Sequence, residues 1–533
     1  MGFVRIVNMI PAGMSGETFQ DSEPNIAVNP ERPTEMVGSA FTVAPLSLAA
    51  AQMGSGSFSP IYVSTDGGST WALRNIVPGN GRFGTGDITV AFAPTGGTIY
   101  AAILNGDNGR MQILRMPSIA STTPMTVLLE RSGPDQPWIV AAPGDRLFVA
   151  NNDAGWSPRT ALVDIVGGAS ASSPSFMFHL IEHRVTSGQD GPPVRVAFHP
   201  DGTVYAAFLR WATSFGSNVT FDVVVVRDDQ WAGDIDKFFD LVDAADQVEG
   251  TRVASDRYLF FKGTMGQERL GGDLALAVDP TDSRTVWVAW CERVGGAGGT
   301  DWTLQVARSS NSGNSWAPIL RTITNAKNPA LAVNSSRLLG LAYQQFTGAQ
   351  WVTRLELTSD AWATAPETHV LHQAPSNAPA QAFFPYLGDY IRLLAVGRDF
   401  YGVFSGNNTP NTANFPSGVT YQRAADWVNN TLLNNNGVSV VATSIDPFFF
   451  SWFPRRPFPI SPVSRGPITP RAPIMPRAPI IPRTPIIPRA PIIPRGPIGP
   501  IPSSGSITRE PAAPTDPEVA TQQGPPPPTD LEL

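Results

Sequence analysis

The chain holds a single cysteine, Cys291, in 533 residues, so an internal disulfide framework is excluded. Its five histidines (His179, His183, His199, His369 and His372) form no His-Glu-x-x-His pattern, which removes the helix-borne zinc signature. Charged residues make up only 15% of the chain and the formal net charge is −7, without the basic footprint of a general nucleic-acid binder. No stretch reaches the roughly 18 consecutive apolar residues of a membrane-spanning helix. The segment MGFVRIVNMIPAGMSGE has one arginine and no apolar run of secretory length, so the expectation is cytoplasmic residence or export by a non-classical route. Long amphipathic helical periodicity is missing as well.

What the chain does have is glycine (49) and proline (52), the composition of many short strands joined by turns. A template recurs seven times: an acidic or amide residue, a short apolar strand, a turn, then a second strand rich in Tyr, Val and Ala. Its starts are Glu23, Asp87, Asp135, Asp190, Asp273, Asn328 and Gly388-Asp389. Spacings of roughly 50 to 80 residues suit four-stranded blades around a channel. Outer strands are visible at Phe221–Arg227, Trp302–Arg308 and Trp351–Leu357, and Phe448–Phe453 reads as the last core strand. The expectation is an all-β chain, a six- or seven-bladed β-propeller over residues 1–453.

Beyond that point the composition changes. Residues 454–502 carry a Pro-Arg-x-Pro-Ile-Ile repeat, for which polyproline II is expected because dense proline removes donors and fixes φ. The repeat reads as a spacer or as a strip that docks a partner. Residues 503–533 are acidic, Pro-rich and read as disordered.

Two turns stand out. Ser64-Thr65-Asp66-Gly67-Gly68-Ser69-Thr70-Trp71 reads S-x-D-x-G-x-T-W between apolar alternations, and Ser309–Trp316 repeats it with Asn311 for the aspartate and Gly313 for the glycine. Ser and Asp can tie the turn's own backbone, Gly supplies positive φ, and Trp71 or Trp316 packs beneath. This resembles the Asp box of the bacterial neuraminidase repeats found in sialidases and related β-propellers. The resemblance implies the fold, and it implies an activity only through its site residues. Sialidases grip a carboxylate with three arginines and use a Tyr-Glu pair and an Asp. Here the amino-terminal arginine box is partial (Phe3-Val4-Arg5-Ile6-Val7), Tyr390, Tyr401 and Tyr421 each qualify as the late tyrosine, and Glu268 and Glu182 as its partner.

If the first strand of each repeat lines the channel, Glu23, Asp87, Asp135, Asp190, Asp273 and Asp389 converge on one rim with Arg195, Arg269 and Arg392. Crowded carboxylates raise one another's pKa or bind a hard cation, so Asp87, Asp135, Asp273 and Asp389 are the candidate Ca²⁺ ligands. The alternative is that each Asp bonds its own loop. Two functions compete: a recognition module for a carbohydrate or protein ligand at the channel rim, and an exo-glycosidase of sialidase type with diverged motifs. Cys291, after an apolar strand, reads as a buried hydrophobe.

Overall fold

The computed structural model describes residues 2–42, 60–75, 85–105, 109–121, 123–191, 194–233, 237–380 and 386–455. The chain divides into Met1–Arg456 and Pro457–Leu533, and the repeat and acidic segments of the second unit lie outside the described residues.

The described residues form no α-helix; they build an all-β architecture of four-stranded antiparallel sheets, seven in number. Six sheets are consecutive meanders. Their first strands are Asn25–Val28, Thr85–Phe92, Pro134–Ala142, Arg195–Phe198, Leu274–Asp279 and Ala326–Val333, and we number sheets 1 to 6 accordingly. Sheet 7 is composite: Arg392–Val396, Asp399–Asn407 and Ile445–Phe453 are completed at the edge by Phe3–Asn8. That last pairing is antiparallel and in register from Phe3 opposite Phe453 to Asn8 opposite Phe448. First strands of neighbouring sheets touch in cyclic order, and sheet 7 returns to sheet 1, so the arrangement closes like a propeller. The strands read from sequence as outer are third strands; fourth strands such as Thr251–Phe260 and Glu367–Pro375 lie outside them.

Each sheet is buried on both faces, which explains the continuous apolar runs. In sheet 4, Val223 and Val225 point into the core shared with sheets 5 and 6, while Val224 and Val226 point into the core shared with sheet 3. Separate clusters fill the contact of sheet 1 with sheet 2, of sheet 2 with sheet 3, of sheet 6 with sheet 7 and of sheet 7 with sheet 1. Cys291 is fully buried, its thiol directed at Ala326 O at 3.3 Å.

The two turns recognised in the sequence share one geometry. Ser64 Oγ accepts from Gly68 N at 2.9 Å, and Asp66 accepts from Ser69 N at 3.0 Å and Thr70 N at 2.9 Å. Ser309 Oγ accepts from Gly313 N at 2.9 Å, and Asn311 Oδ1 from Ser315 N at 3.0 Å. Gly68 (φ +81°) is required twice, because a Cβ there would lie 2.4 Å from the Phe449 ring.

Two more turns repeat the plan without its letters. In sheet 6, Thr358 Oγ1 accepts from Trp362 N at 3.0 Å and Asp360 from Thr364 N at 3.1 Å. In sheet 4, Asp228 accepts from Gln230 N at 2.8 Å and Ala232 N at 2.6 Å. All four begin on the last residue of a third strand, and all four place two successive residues at positive φ: Gly67-Gly68, Ser312-Gly313, Ala361-Trp362 and Trp231-Ala232. The last two pairs hold non-glycine residues in the left-handed region, so side-chain acceptors and packing must over-determine the turn there. Thr358→Val removes one such acceptor and is expected to cost about 1 kcal/mol. Asp66→Ala, which strips several donors of their partner, is expected to cost about 1–2 kcal/mol. Both are read as lowered urea midpoints at unchanged m-value.

Candidate functional site

First strands enter the channel from one face, and at that entrance the backbone is irregular in a recurring way. Pairing with the second strand slips between Thr85 and Ile88, between Asp135 and Trp138, and between Lys327 and Ala330. Glu23, Gln136 and Asn328 sit at positive φ (56°, 51° and 53°) at or next to these entry points. Such bulges bend a strand and re-aim its side chains. Here they turn polar residues toward one rim.

Several of the acidic residues at strand entries are linked pairwise across sheets. Glu23 Oε1 accepts from Asp389 N at 3.2 Å, joining sheet 1 to sheet 7. Asp87 lies beside Glu23, with Asp135 and Tyr390 close by. Burial raises Glu23 well above the usual carboxylate range, with Asp87 and Asp389 adding to the shift. Burial together with Asp135 brings Asp87 to about 7. Asp135 and Asp190 share one cation: Arg159 Nη1 is 3.0 Å from the first and 3.3 Å from the second.

On the opposite arc, the short hairpin Thr264–Met265 with Glu268–Arg269 reaches over the rim. Arg269 pairs with Asp389. Glu268 is fully buried against Lys327, Nζ to Oε1 at 2.7 Å, and Lys327 also donates to Arg269 O at 2.7 Å. Burial would lower Lys327, but Glu268, Asp273 and Asp389 outweigh it and hold its pKa above the ordinary value. Burial raises Glu268 to about 7 and Asp273 to about 6, with Lys327 opposing both shifts. Asp273 Oδ1 accepts from Asn328 N at 3.0 Å, which ties sheet 5 to sheet 6.

Arg195 and Arg392 are placed differently from Arg159 and Arg269. Each is the first residue of an inner strand, and their guanidinium carbons stand 4.0 Å and 4.2 Å from the centre of the Trp138 ring. Tyr390 meets the same ring edge-on, centroids 6.0 Å apart. Neither arginine forms an ion pair among the described residues; Arg195 donates to Val194 O at 2.9 Å, and Arg392 Nε is buried without a partner. Burial lowers Arg195 to about 10 and, with Arg195 as neighbour, Arg392 to about 9. Both line a cavity of about 220 Å³ with Trp138, Leu276, Ala330 and Leu393. Cation–π contact with tryptophan holds a guanidinium in place while leaving its N–H fork open to an oxyanion.

Several expectations find other places. Arg5 lies on the outermost strand of sheet 7 and donates to Ser69 Oγ at 2.7 Å and to Gly67 O, so it braces the first turn and does not reach the channel. Tyr401 packs against Phe449 and Phe453, and Tyr421 against Phe415 and Trp427. Glu182 accepts from Arg184 N at 2.8 Å, away from the rim. Of the three tyrosines, Tyr390 is the one at the channel. Asp87, Asp135, Asp273 and Asp389 are spread along the rim, and the described residues contain no group of three or more His, Cys, Asp or Glu placed to hold a metal. Trp138, Arg159 and Lys327 were missed. Lys327 directly precedes Asn328 in the sixth repeat, and Trp138 occupies the apolar part of the third, so each was legible only as a repeat-position anomaly.

No protein-family model and no curated protein matches the chain. Solved structures do. An α-L-arabinofuranosidase from Fusarium graminearum matches at 11% identity and TM-score 0.39, covering 71% of this chain and 99% of that one. A polysaccharide lyase active on ulvan matches at 10% identity and TM-score 0.44, covering 73% and 92%. The endosialidase of phage phi92 matches at 10% identity and TM-score 0.40, covering 88% and 72%. Likeness of this size assigns no activity.

The raised carboxyls set a pH dependence. A carboxyl that stays protonated in the folded chain after the unfolded chain has ionised makes stability fall with rising pH, here between about pH 4 and about pH 7. Asp87→Asn is expected to flatten that part of the melting-temperature profile and to raise Tm at pH 7.5 by roughly 1–3 °C, measured by calorimetry.

Proposed function

We propose that the seven sheets are the blades of one propeller and that its channel mouth is a recognition site for an acidic carbohydrate or another carboxylate-bearing ligand. The observation that carries this reading is the Arg195–Arg392 pair over Trp138, since two desolvated guanidiniums that form no ion pair among the described residues line an open cavity. The other rim cations named among the described residues are already paired: Arg159 with Asp135 and Asp190, Arg269 with Asp389, Lys327 with Glu268. An incoming carboxylate would relieve the mutual repulsion of Arg195 and Arg392 and accept their forked donors.

One observation favours a second reading, an exo-glycosidase of sialidase type. Glu23 and Asp87 lie side by side with raised pKa values next to Tyr390, and a carboxyl poised near neutrality can carry a proton. The recognition reading stands ahead because the cavity's lining among the described residues holds no acidic residue that could activate water across from the pair.

The test is calorimetric titration of the full chain with sialic acid, glucuronic acid and glucose, with calcium and with chelator. Acidic sugars are expected to bind at least about tenfold more tightly than glucose, equivalent to about 1.4 kcal/mol, and Arg392→Gln to abolish the difference. Equal binding of glucose, or indifference to Arg392→Gln, rejects the reading. Turnover of a fluorogenic sialoside that disappears in Asp87→Asn would establish the glycosidase instead. Loss of binding in chelator would restore the calcium set of Asp87, Asp135, Asp273 and Asp389.

A further inference from the structure

On the face opposite the carboxylate rim, between sheets 5 and 6, lies a second cleft of about 500 Å³. Its position follows from strand direction. First and third strands run away from the rim, and the cleft is lined by their far ends: Asp279 and Arg308 in sheet 5, Val333 and Thr358 in sheet 6. Two of the four turns with paired positive φ close it, contributing Ser310 from one and Ser359 and Ala361 from the other. The turn at Ala361-Trp362 also sets Trp362 edge-on to Trp287, centroids 6.2 Å apart, so the aromatic wall of the cleft is held from both sheets.

The charge inside is unbalanced. Three guanidiniums, Arg284, Arg308 and Arg337, face two carboxylates, Asp279 and Asp282. Each carboxylate is already engaged by its own turn: Asp279 Oδ1 accepts from Thr281 N at 2.9 Å, and Asp282 Oδ2 from Thr285 Oγ1 at 3.1 Å. Each takes one arginine through Nε, Arg337 at 2.8 Å and Arg284 at 3.0 Å. Nε pairing leaves the terminal nitrogens of both arginines without a protein acceptor among the described residues. Arg308 has no ion pair among them at all; it lies across from Trp287 in the strand pairing, its guanidinium 5.2 Å from the ring centre. A net positive cleft of this volume, with Trp287, Val333, Leu339 and Ala361 as an apolar wall, is a built receptor for an oxyanion on an apolar body.

We propose that this cleft is a second ligand site, separate from the channel, for a small organic phosphate or sulfate ester. Arg308, placed over the Trp287 ring, grips the ester oxygens, Arg284 and Arg337 add donors from the rim of the cleft, and the organic part packs on Leu339 and Val333. The proposal does not depend on what the channel binds.

The experiment is calorimetric titration of the full chain with phenyl phosphate and phenyl sulfate, with benzyl alcohol as the uncharged control. Saturable binding of either ester and none of the alcohol is expected, and the ratio of the two esters identifies the headgroup. Arg308→Gln should weaken binding at least about tenfold with an unchanged melting temperature, and Ser310→Tyr, which fills the mouth from an exposed turn position, should do the same. Arg392→Gln in the channel should leave it unchanged. The proposal is overturned if neither ester binds at millimolar concentration, if the alcohol binds as well as the esters, or if binding is lost in Arg392→Gln and kept in Arg308→Gln.

Discussion

The structure depends on one pairing, that of Phe3–Asn8 with Ile445–Phe453. Both faces of every sheet are apolar, so an open row of seven would leave one face of sheet 1 and one of sheet 7 in water. Joining chain segments some 440 residues apart costs roughly 5 kcal/mol beyond a constant, because loop-closure entropy grows only with the logarithm of length. Against this, Val4, Ile6 and Val7 become almost wholly buried. At about 2 kcal/mol for each such side chain, the amino-terminal strand alone offsets that cost. The Phe449 ring, inside the contact of sheet 7 with sheet 1, then meets Trp71 at 5.5 Å and Gly68 of the first turn, so closure and turn geometry are one packing event.

Closure also explains the behaviour of the charges. The entries to the inner strands of six sheets bring carboxylates from distant parts of the sequence to one rim, where Glu23, Asp273 and Asp389 are buried. The protein answers in two ways. Where a cation is within reach it is paired, as Lys327 is with Glu268 and Arg269 with Asp389. Where no ion pair forms, as at Glu23 and Asp87, burial and neighbouring carboxyls raise the pKa. Arg195 and Arg392 invert this pattern, since both are desolvated, adjacent and held by an aromatic ring in place of an anion. Neither forms an ion pair among the described residues, although Asp273, Asp87 and Glu23 act on Arg195 from a distance.

Much of this was legible before any coordinates. The recurrence of an acidic or amide residue before a short apolar strand predicted the repeat, because each such strand opens a four-stranded sheet. The third strands were legible as well, through runs such as Val223–Val226. What escaped the sequence has specific causes. Phe3–Asn8 belongs to no repeat, since its partners lie at the other end of the chain, so Arg5 stood out only as a partial arginine box although it braces a turn. The turns at Asp228 and Thr358 escaped because their left-handed positions hold Trp231-Ala232 and Ala361-Trp362 where the motif asks for glycine. Trp138 escaped because a tryptophan in an apolar strand looks like core until its neighbours are known.

The two faces of the ring use the same backbone device for different ends. On one face, paired left-handed residues close the turns after third strands, and each is held by a side-chain oxygen that accepts from the turn's own amides. On the other, single left-handed residues at Glu23, Gln136 and Asn328 twist the entry of first strands and deliver side chains to the channel. A non-glycine residue held there costs on the order of 1 kcal/mol, and it persists only where its surroundings fix it. Asn328 shows how: its amide donates to Asp273, and its side chain donates to Gly388 O and Gln344 Oε1, so one residue binds sheet 6 to sheets 5 and 7. Strain at the rim is therefore not local to a loop. It is carried by hydrogen bonds that cross between sheets, which is why the same residues that shape the site also hold the ring together there.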